Sequence, residues 1–167
     1  MRLFIAVDLA DNMKKALVGT LHELKKQGIT GSYVPVQNLH LTLAFLGEVK
    51  DPDEVIKVMD SLQAESSRLS FDGFGNFGDT WWVGIKANQK LKKYASDLRK
   101  ALQEADLPCD QSKFEPHVTL VRKMKGKKPA GIVVPKEDMM VRKISLMRSD
   151  YKDGKRVYKE IYSVKAR

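Results

Sequence analysis

Of the three histidines in the chain, two open the same four-residue pattern: His40-Leu41-Thr42-Leu43 and His117-Val118-Thr119-Leu120. His40 to His117 and Thr42 to Thr119 are each 77 positions apart, the relation an internal duplication leaves behind. One such pattern says little, because a strand histidine is more often a hydrogen-bonded structural residue than a catalyst. Two on separate strands are much harder to assign to accident. Along a strand, residues i and i+2 share a face with Cα atoms roughly 6–7 Å apart, so each histidine stands beside its own threonine. Leu41, Leu43, Val118 and Leu120 then point the other way, into a core. Two such strands lying side by side would set two imidazoles and two hydroxyls around one cleft. That constellation suits in-line displacement at phosphorus. One imidazole removes a proton from attacking water and the other protonates a departing ribose oxygen, which works near neutrality because the reference pKa of histidine is about 6.5. The threonine hydroxyls can donate to the non-bridging phosphate oxygens as charge develops there. A cyclic phosphate fits, since its ring is strained and the adjacent ribose oxygen is the leaving group.

The surrounding sequence supplies elements able to hold these strands. Leu3 to Leu9 reads as a buried strand, and Asp11-Asn12 offers a cap for a helix through about Lys26, ended by Gly28. Its Met13, Leu17, Leu21 and Leu24 repeat at helical spacing. Tyr33-Val34-Pro35-Val36 is an extended approach to a central strand over Leu39 to Val49. A second helix is predicted from Pro52 to about Ser66, capped by Asp51, and a third from about Gln89 to Ala105. Between them, Leu69 to Lys86 reads as a hairpin joined through a Gly-rich turn. After a loop from Pro108 to Pro116 come strands from His117 to about Arg122, from Met140 to Arg148 and from Val157 to Val164. The turn between the last two is placed at Asp150 to Lys155. The expected class is α+β with mostly antiparallel sheets, because the late hairpins do not alternate with helices as a dinucleotide-binding fold requires.

Gly73-Phe74-Gly75-Asn76-Phe77-Gly78 has the spacing Gly-x-Gly-x-x-Gly, yet it is followed by the strand-like Thr80-Trp81-Trp82-Val83 and not by a helix. A flexible hairpin turn beside an aromatic cluster is the better reading. In that cluster of Phe74, Phe77, Trp81 and Trp82, hairpin packing is expected for most members, with base stacking by one tryptophan as the lesser alternative.

The 167 residues suit one domain, with 43% apolar and 31% charged residues, the balance of a soluble protein. No apolar run is long enough to span a bilayer, and the N-terminus lacks the apolar stretch and cleavage site of a signal peptide, so a cytoplasmic monomer is expected. Cys109 stands alone and reads as an inert, partly buried thiol. A net charge of +9 favours polyanions, nucleic acid first among them. Arg122, Lys123, Lys125, Lys127 and Lys128 cluster in one segment that could touch a phosphate backbone or form a solvated loop.

The sequence resembles the two-histidine (2H) phosphoesterase superfamily, specifically the RNA 2′,3′-cyclic phosphodiesterases, also called 2′-5′ RNA ligase-like proteins. The similar segments are Arg2-Leu3-Phe4-Ile5-Ala6-Val7-Asp8, Asn38 to Gly47, and Phe114 to Arg122. The resemblance covers nearly the whole chain and implies one bilobal domain over 1–167 with pseudo-two-fold symmetry and a central cleft. It implies hydrolysis of RNA 2′,3′-cyclic phosphate ends to 2′-phosphate without metal or other cofactor. It further implies that His40 protonates the 3′ leaving oxygen, that His117 activates water, and that Arg122 lines the nucleotide cleft. Position 5 is Ile5, where some relatives carry an aromatic residue able to stack on a base. Three other readings compete. A zinc hydrolase would need a third ligand, and His22 lies in a predicted helix without partners. A non-catalytic RNA-binding module would match the charge but lacks the usual aromatic or Gly-x-x-Gly signatures. Reversible 2′-5′ ligation is possible in principle, whereas no Gly-x-x-x-x-Gly-Lys loop suggests an ATP-driven form.

Overall fold

The computed structural model describes residues 1–86 and 88–167. The apolar run at the start forms β1 (Arg2–Asp8), followed by α1 (Asp11–Lys26), β2 (Thr30–Tyr33), a 3-10 turn at Val36–Asn38 and β3 (His40–Glu48). Next come α2 (Pro52–Asp60), β4 (Ser67–Phe77), β5 (Thr80–Lys86) and α3 (Gln89–Glu104). The chain ends with β6 (His117–Lys125), β7 (Asp138–Val141), β8 (Lys143–Lys152) and β9 (Lys155–Lys165). Two antiparallel sheets result, ordered β3-β1-β8-β9 and β2-β6-β5-β4-β7. This is the α+β class expected from the clustering of the strands.

The duplication is visible in the architecture. β1, α1 and β3 form a unit of strand, 16-residue helix and antiparallel strand, and β5, α3 and β6 repeat it. In the first unit His40 pairs with Asp8 and Thr42 with Ala6; in the second His117 pairs with Gly84 and Thr119 with Trp82. The two motif strands do not lie side by side in one sheet. β3 is the edge strand of its sheet, β6 lies inside the other, and the two pack across the seam between sheets.

One apolar core runs under both motifs. Leu3, Ile5 and Val7 of β1, Leu41 and Leu43 of β3, and Val118 and Leu120 of β6 are all within it, 1% exposed or less. Met13, Leu17 and Leu24 of α1 cover one side, and Leu91, Leu98 and Leu102 of α3 the other. Removing this much apolar surface from water is the main force holding the histidine strands in place.

Several local expectations need correction. The cap of α1 is Ala10, and Asp11 already belongs to the first turn, where its charge favours the helix dipole. α2 stops at Asp60, well before Ser66. The Ser61 hydroxyl turns back to the Val58 carbonyl at 2.7 Å, a bond that competes with helix continuation, and Ser67 is already paired with Val141 of β7. Met140 to Arg148 is two strands, divided at Arg142, which lets Val141 bury in one sheet and Ile144 in the other. The last turn is only Asp153-Gly154, with φ of 52° and 76°, so Tyr151 and Arg156 pair across the hairpin. The glycine-rich segment is mostly strand. Gly75 lies within β4 under the Trp82 ring, where a Cβ would come within 2.7 Å of the indole. That glycine makes room for an aromatic side chain in a strand pair, a role remote from phosphate binding.

Candidate active site

Each histidine is held by the same device. His40 Nδ1 is 2.7 Å from the carbonyl oxygen of Asn38, and His117 Nδ1 is 2.5 Å from that of Glu115, in each case two residues upstream. A carbonyl only accepts, so Nδ1 carries the proton on both rings and Nε2 is left for chemistry. The environments then diverge. His40 Nε2 is 2.8 Å from Thr42 Oγ1, whose hydroxyl donates to the neutral ring. Phe4 lies 4.9 Å from the His40 ring and Tyr158 meets it edge-on at 5.4 Å. Burial among these groups lowers the His40 pKa, with the Arg122 and His117 charges lowering it further, while the Asn38 carbonyl and Asp8 oppose the shift. His117 has Phe77 at 5.2 Å and 90° and Trp82 at 5.8 Å, and among the described residues its Nε2 bonds to no other group.

Two cavities meet at Thr42. One of about 310 Å³ is lined by His40, Thr42 and Arg122 together with Arg2, Lys123, Tyr151, Arg156 and Tyr158. The other, about 390 Å³, is lined by Thr42, Phe77, Arg99, Phe114 and His117. Together they make one groove with an imidazole on either side of the threonine. Thr119 is half-buried beside Trp82 and forms no hydrogen bond to His117 comparable to that between Thr42 and His40, so the repeat is not perfectly symmetric. The structure therefore gathers His40, Thr42, His117 and Arg122 at one groove, with Thr119 on β6 between His117 and Arg122 but lining neither cavity.

Across the seam, Arg99 of α3 joins the two halves. Its Nε donates to the Leu43 carbonyl of β3 at 3.0 Å, and its Nη1 donates to the Ser112 carbonyl at 2.5 Å in the loop leading to His117. The same loop is tied to β3 by the Asp110 N–H on the Phe45 carbonyl at 2.9 Å. The guanidinium also lies 5.5 Å over the Phe114 ring. Among the described residues no three His, Cys, Asp or Glu side chains are grouped to hold a metal ion, and His22 is an exposed residue of α1.

A sequence model of the 2′-5′ RNA ligase superfamily matches residues 13–152. The chain belongs to that superfamily. It is 32% identical to an RNA 2′,3′-cyclic phosphodiesterase of Thermotoga maritima, over 73% of this chain and 70% of that one. It is also 32% identical to the Archaeoglobus fulgidus protein of the same name, over 80% of this chain and 79% of the other. Among solved structures, Thermus thermophilus TT0787 superposes with a TM-score of 0.85 at 26% identity, covering 99% of this chain and 97% of that one. Escherichia coli LigT complexed with 3′-AMP superposes with a TM-score of 0.84 at 25% identity, over 99% and 97% of the two chains.

Within this superfamily fold, sequence reading missed much of the groove wall. Ile5 is fully buried and faces the core, so it is not the position that meets a ligand; the aromatic residues beside His40 are Phe4 and Tyr158. Strand alternation carried a signal for Phe4, which lies on the face opposite to its buried neighbours Leu3 and Ile5. The aromatic cluster divides by role: Trp81 is buried and stacked on Phe74 at 5.3 Å, whereas Trp82 and Phe77 flank His117. Among the described residues no helix is long and apolar enough to cross a membrane.

Proposed function

We propose that the protein opens 2′,3′-cyclic phosphate ends of RNA to 2′-phosphates, with His117 as general base and His40 as general acid. The observation that carries this reading is the paired carbonyl anchor, which holds Nδ1 of both imidazoles at a shared groove and leaves Nε2 of His117 unbonded and Nε2 of His40 engaged only by Thr42. His117 Nε2 takes a proton from water as the new oxygen–phosphorus bond forms. The bond from phosphorus to O3′ breaks, and His40 Nε2–H delivers its proton to that oxygen, giving a 3′-hydroxyl and a 2′-phosphate. Thr42 and Thr119 hydroxyls donate to non-bridging oxygens, and Arg122 offsets the phosphate charge. The names of the Thermotoga and Archaeoglobus relatives support the substrate, and the complex of the E. coli neighbour with 3′-AMP supports a nucleotide as ligand.

The test is product analysis on an RNA ending in a 2′,3′-cyclic phosphate. A 2′-phosphate product is expected, formed equally well in the presence of a strong chelator. His40→Ala and His117→Ala should each lower turnover by about 10²–10⁴-fold with the fold preserved by circular dichroism. Full activity in either variant removes the two-histidine mechanism, and a 3′-phosphate product removes the assignment of the leaving oxygen.

A further inference from the structure

The cavity on the His40 side holds more positive charge than the reacting group requires. Among the described residues, Arg2, Arg122, Lys123 and Arg156 line it with no carboxylate beside them, and none of the four is ion-paired. A cyclic phosphate diester carries one negative charge.

Two of these cations are placed there by specific backbone devices. Side chains alternate along a strand, so Arg122 and Lys123 should face opposite ways. Both line the cavity because β6 bulges: Ser32 pairs with Arg122 but Thr30 with Lys125, two intervening residues facing one. Lys123 takes a left-handed φ of 53°, uncommon for a residue with a side chain. Gly31 lies opposite at φ 153°, where a Cβ would come within 2.7 Å of the Arg122 carbonyl. Arg156 is fixed by the β8–β9 hairpin. Its guanidinium sits 3.9 Å from the Tyr151 ring centroid, and its Nη1 donates to Ser149 Oγ at 3.3 Å. Its carbonyl accepts from Asn38 Nδ2 at 3.1 Å, and the Asn38 carbonyl is the group that holds His40.

In-line attack determines what occupies this cavity. Water enters opposite the departing O3′, on the His117 side. The ribose and the chain 5′ to it therefore lie on the His40 side, where the surplus charge is. We propose that Lys123 and Arg156 form a second phosphate subsite, which binds the phosphate 5′ to the terminal nucleoside. This rests on the hydrolase reading above and narrows its substrate class to nucleotides with a phosphate on each side of the terminal ribose.

Steady-state kinetics on three substrates test it: a nucleoside 2′,3′-cyclic phosphate, its 5′-phosphorylated form, and a dinucleotide ending in the cyclic phosphate. The dinucleotide is expected to show a KM about tenfold or more below that of the nucleoside, with kcat little changed. An equal gain for the 5′-monophosphate means that a bare phosphate suffices; a gain for the dinucleotide alone means that the internucleotide diester is read. Arg156→Gln and Lys123→Ala should each shrink the KM ratio towards one. Equal KM values for all three substrates, or a ratio that survives both variants, overturns the subsite while leaving the hydrolase reading standing. Calorimetry with a nucleoside 2′-phosphate and a nucleoside 2′,5′-bisphosphate gives a readout independent of turnover. Tighter binding of the bisphosphate that is lost in Arg156→Gln supports the subsite even if no substrate is hydrolysed, and equal affinities overturn it.

Discussion

The lowered pKa of His40 has two measurable consequences. In the free protein, burial and the Arg122 charge disfavour its protonated form. A phosphate anion bound beside it supplies the opposite charge and raises the pKa in the complex. If His40 is the acid, activity is lost as pH rises through its pKa, so the alkaline limb of kcat should lie at higher pH than that of kcat/KM. Coincident limbs would mean that His40 is not the group being titrated. The second consequence concerns folding. The unfolded chain binds a proton at His40 near the reference value of 6.5, and the folded chain only at lower pH. Between those two values the unfolded state holds more protons, so stability rises with pH there; it is complete above about 6.5 and is lost as pH falls towards the folded pKa. Denaturant melts of wild type and His40→Gln across that window should converge at acid pH. A difference independent of pH would contradict the burial of a neutral imidazole. The correspondence of His40 and Thr42 with His117 and Thr119 on two strands was legible in the sequence because a strand repeat is written in residue types. The difference between Thr42, bonded to its histidine, and Thr119 was not, since it depends on what packs beside each strand.

At the scale of elements, the two histidine strands belong to different sheets, and Arg99 is the side chain that binds β3 to the loop before His117. Arg99→Ala should cost about 2–3 kcal/mol in equilibrium unfolding through its charge-assisted hydrogen bonds. Because the guanidinium positions His117 relative to His40, kcat should fall more than KM rises, and Arg99→Lys should recover part of it. A stability loss with unchanged kcat would show that the clamp holds the fold only. Nothing near residue 99 marked it in the sequence, where it reads as one more cation on a polar helix face. Other elements were legible to the degree that their pattern was local. β1, α1 and α3 were found within a residue or two because periodicity defines them. The division of residues 140–148 between two sheets was missed although Met140-Val141-Arg142-Lys143-Ile144 carries a sign of it: Val141 and Ile144 are three apart and would face opposite ways in one strand, yet both are buried.

For the whole molecule, the net charge of +9 and the unpaired cations of the His40 cavity should make binding of the proposed RNA substrate an electrostatic event. The logarithm of the affinity for a cyclic-phosphate oligonucleotide should fall linearly with the logarithm of salt concentration. Arg122→Ala should reduce the slope by roughly one contact's worth, measured by fluorescence anisotropy across a salt series. Salt-independent affinity would take the basic segment out of the interface. The two-fold organisation was readable from the common 77-residue spacing alone, since it fixes which strand, helix and strand correspond. What the spacing could not convey is that the C-terminal hairpin supplies Tyr151, Arg156 and Tyr158 to one half of the groove, with Phe77 and Phe114 lining the other.

The chain passes from β7 in one sheet to β8 in the other through Arg142 alone. A one-residue joint between two hydrogen-bonded strands leaves almost no backbone freedom to absorb a rotation, in contrast to the loops that serve as hinges. If the joint holds the two sheets at a fixed angle, the groove stands open and shaped before any ligand arrives. Encounter then leads to binding without a closing step, so association should be governed by diffusion and charge, with observed rates rising in proportion to RNA concentration and no saturating phase in stopped flow. Lengthening the joint by a Gly-Gly insertion after Arg142 should introduce such a phase. The cost of reorganising the histidines on each turnover would then reach kcat as well.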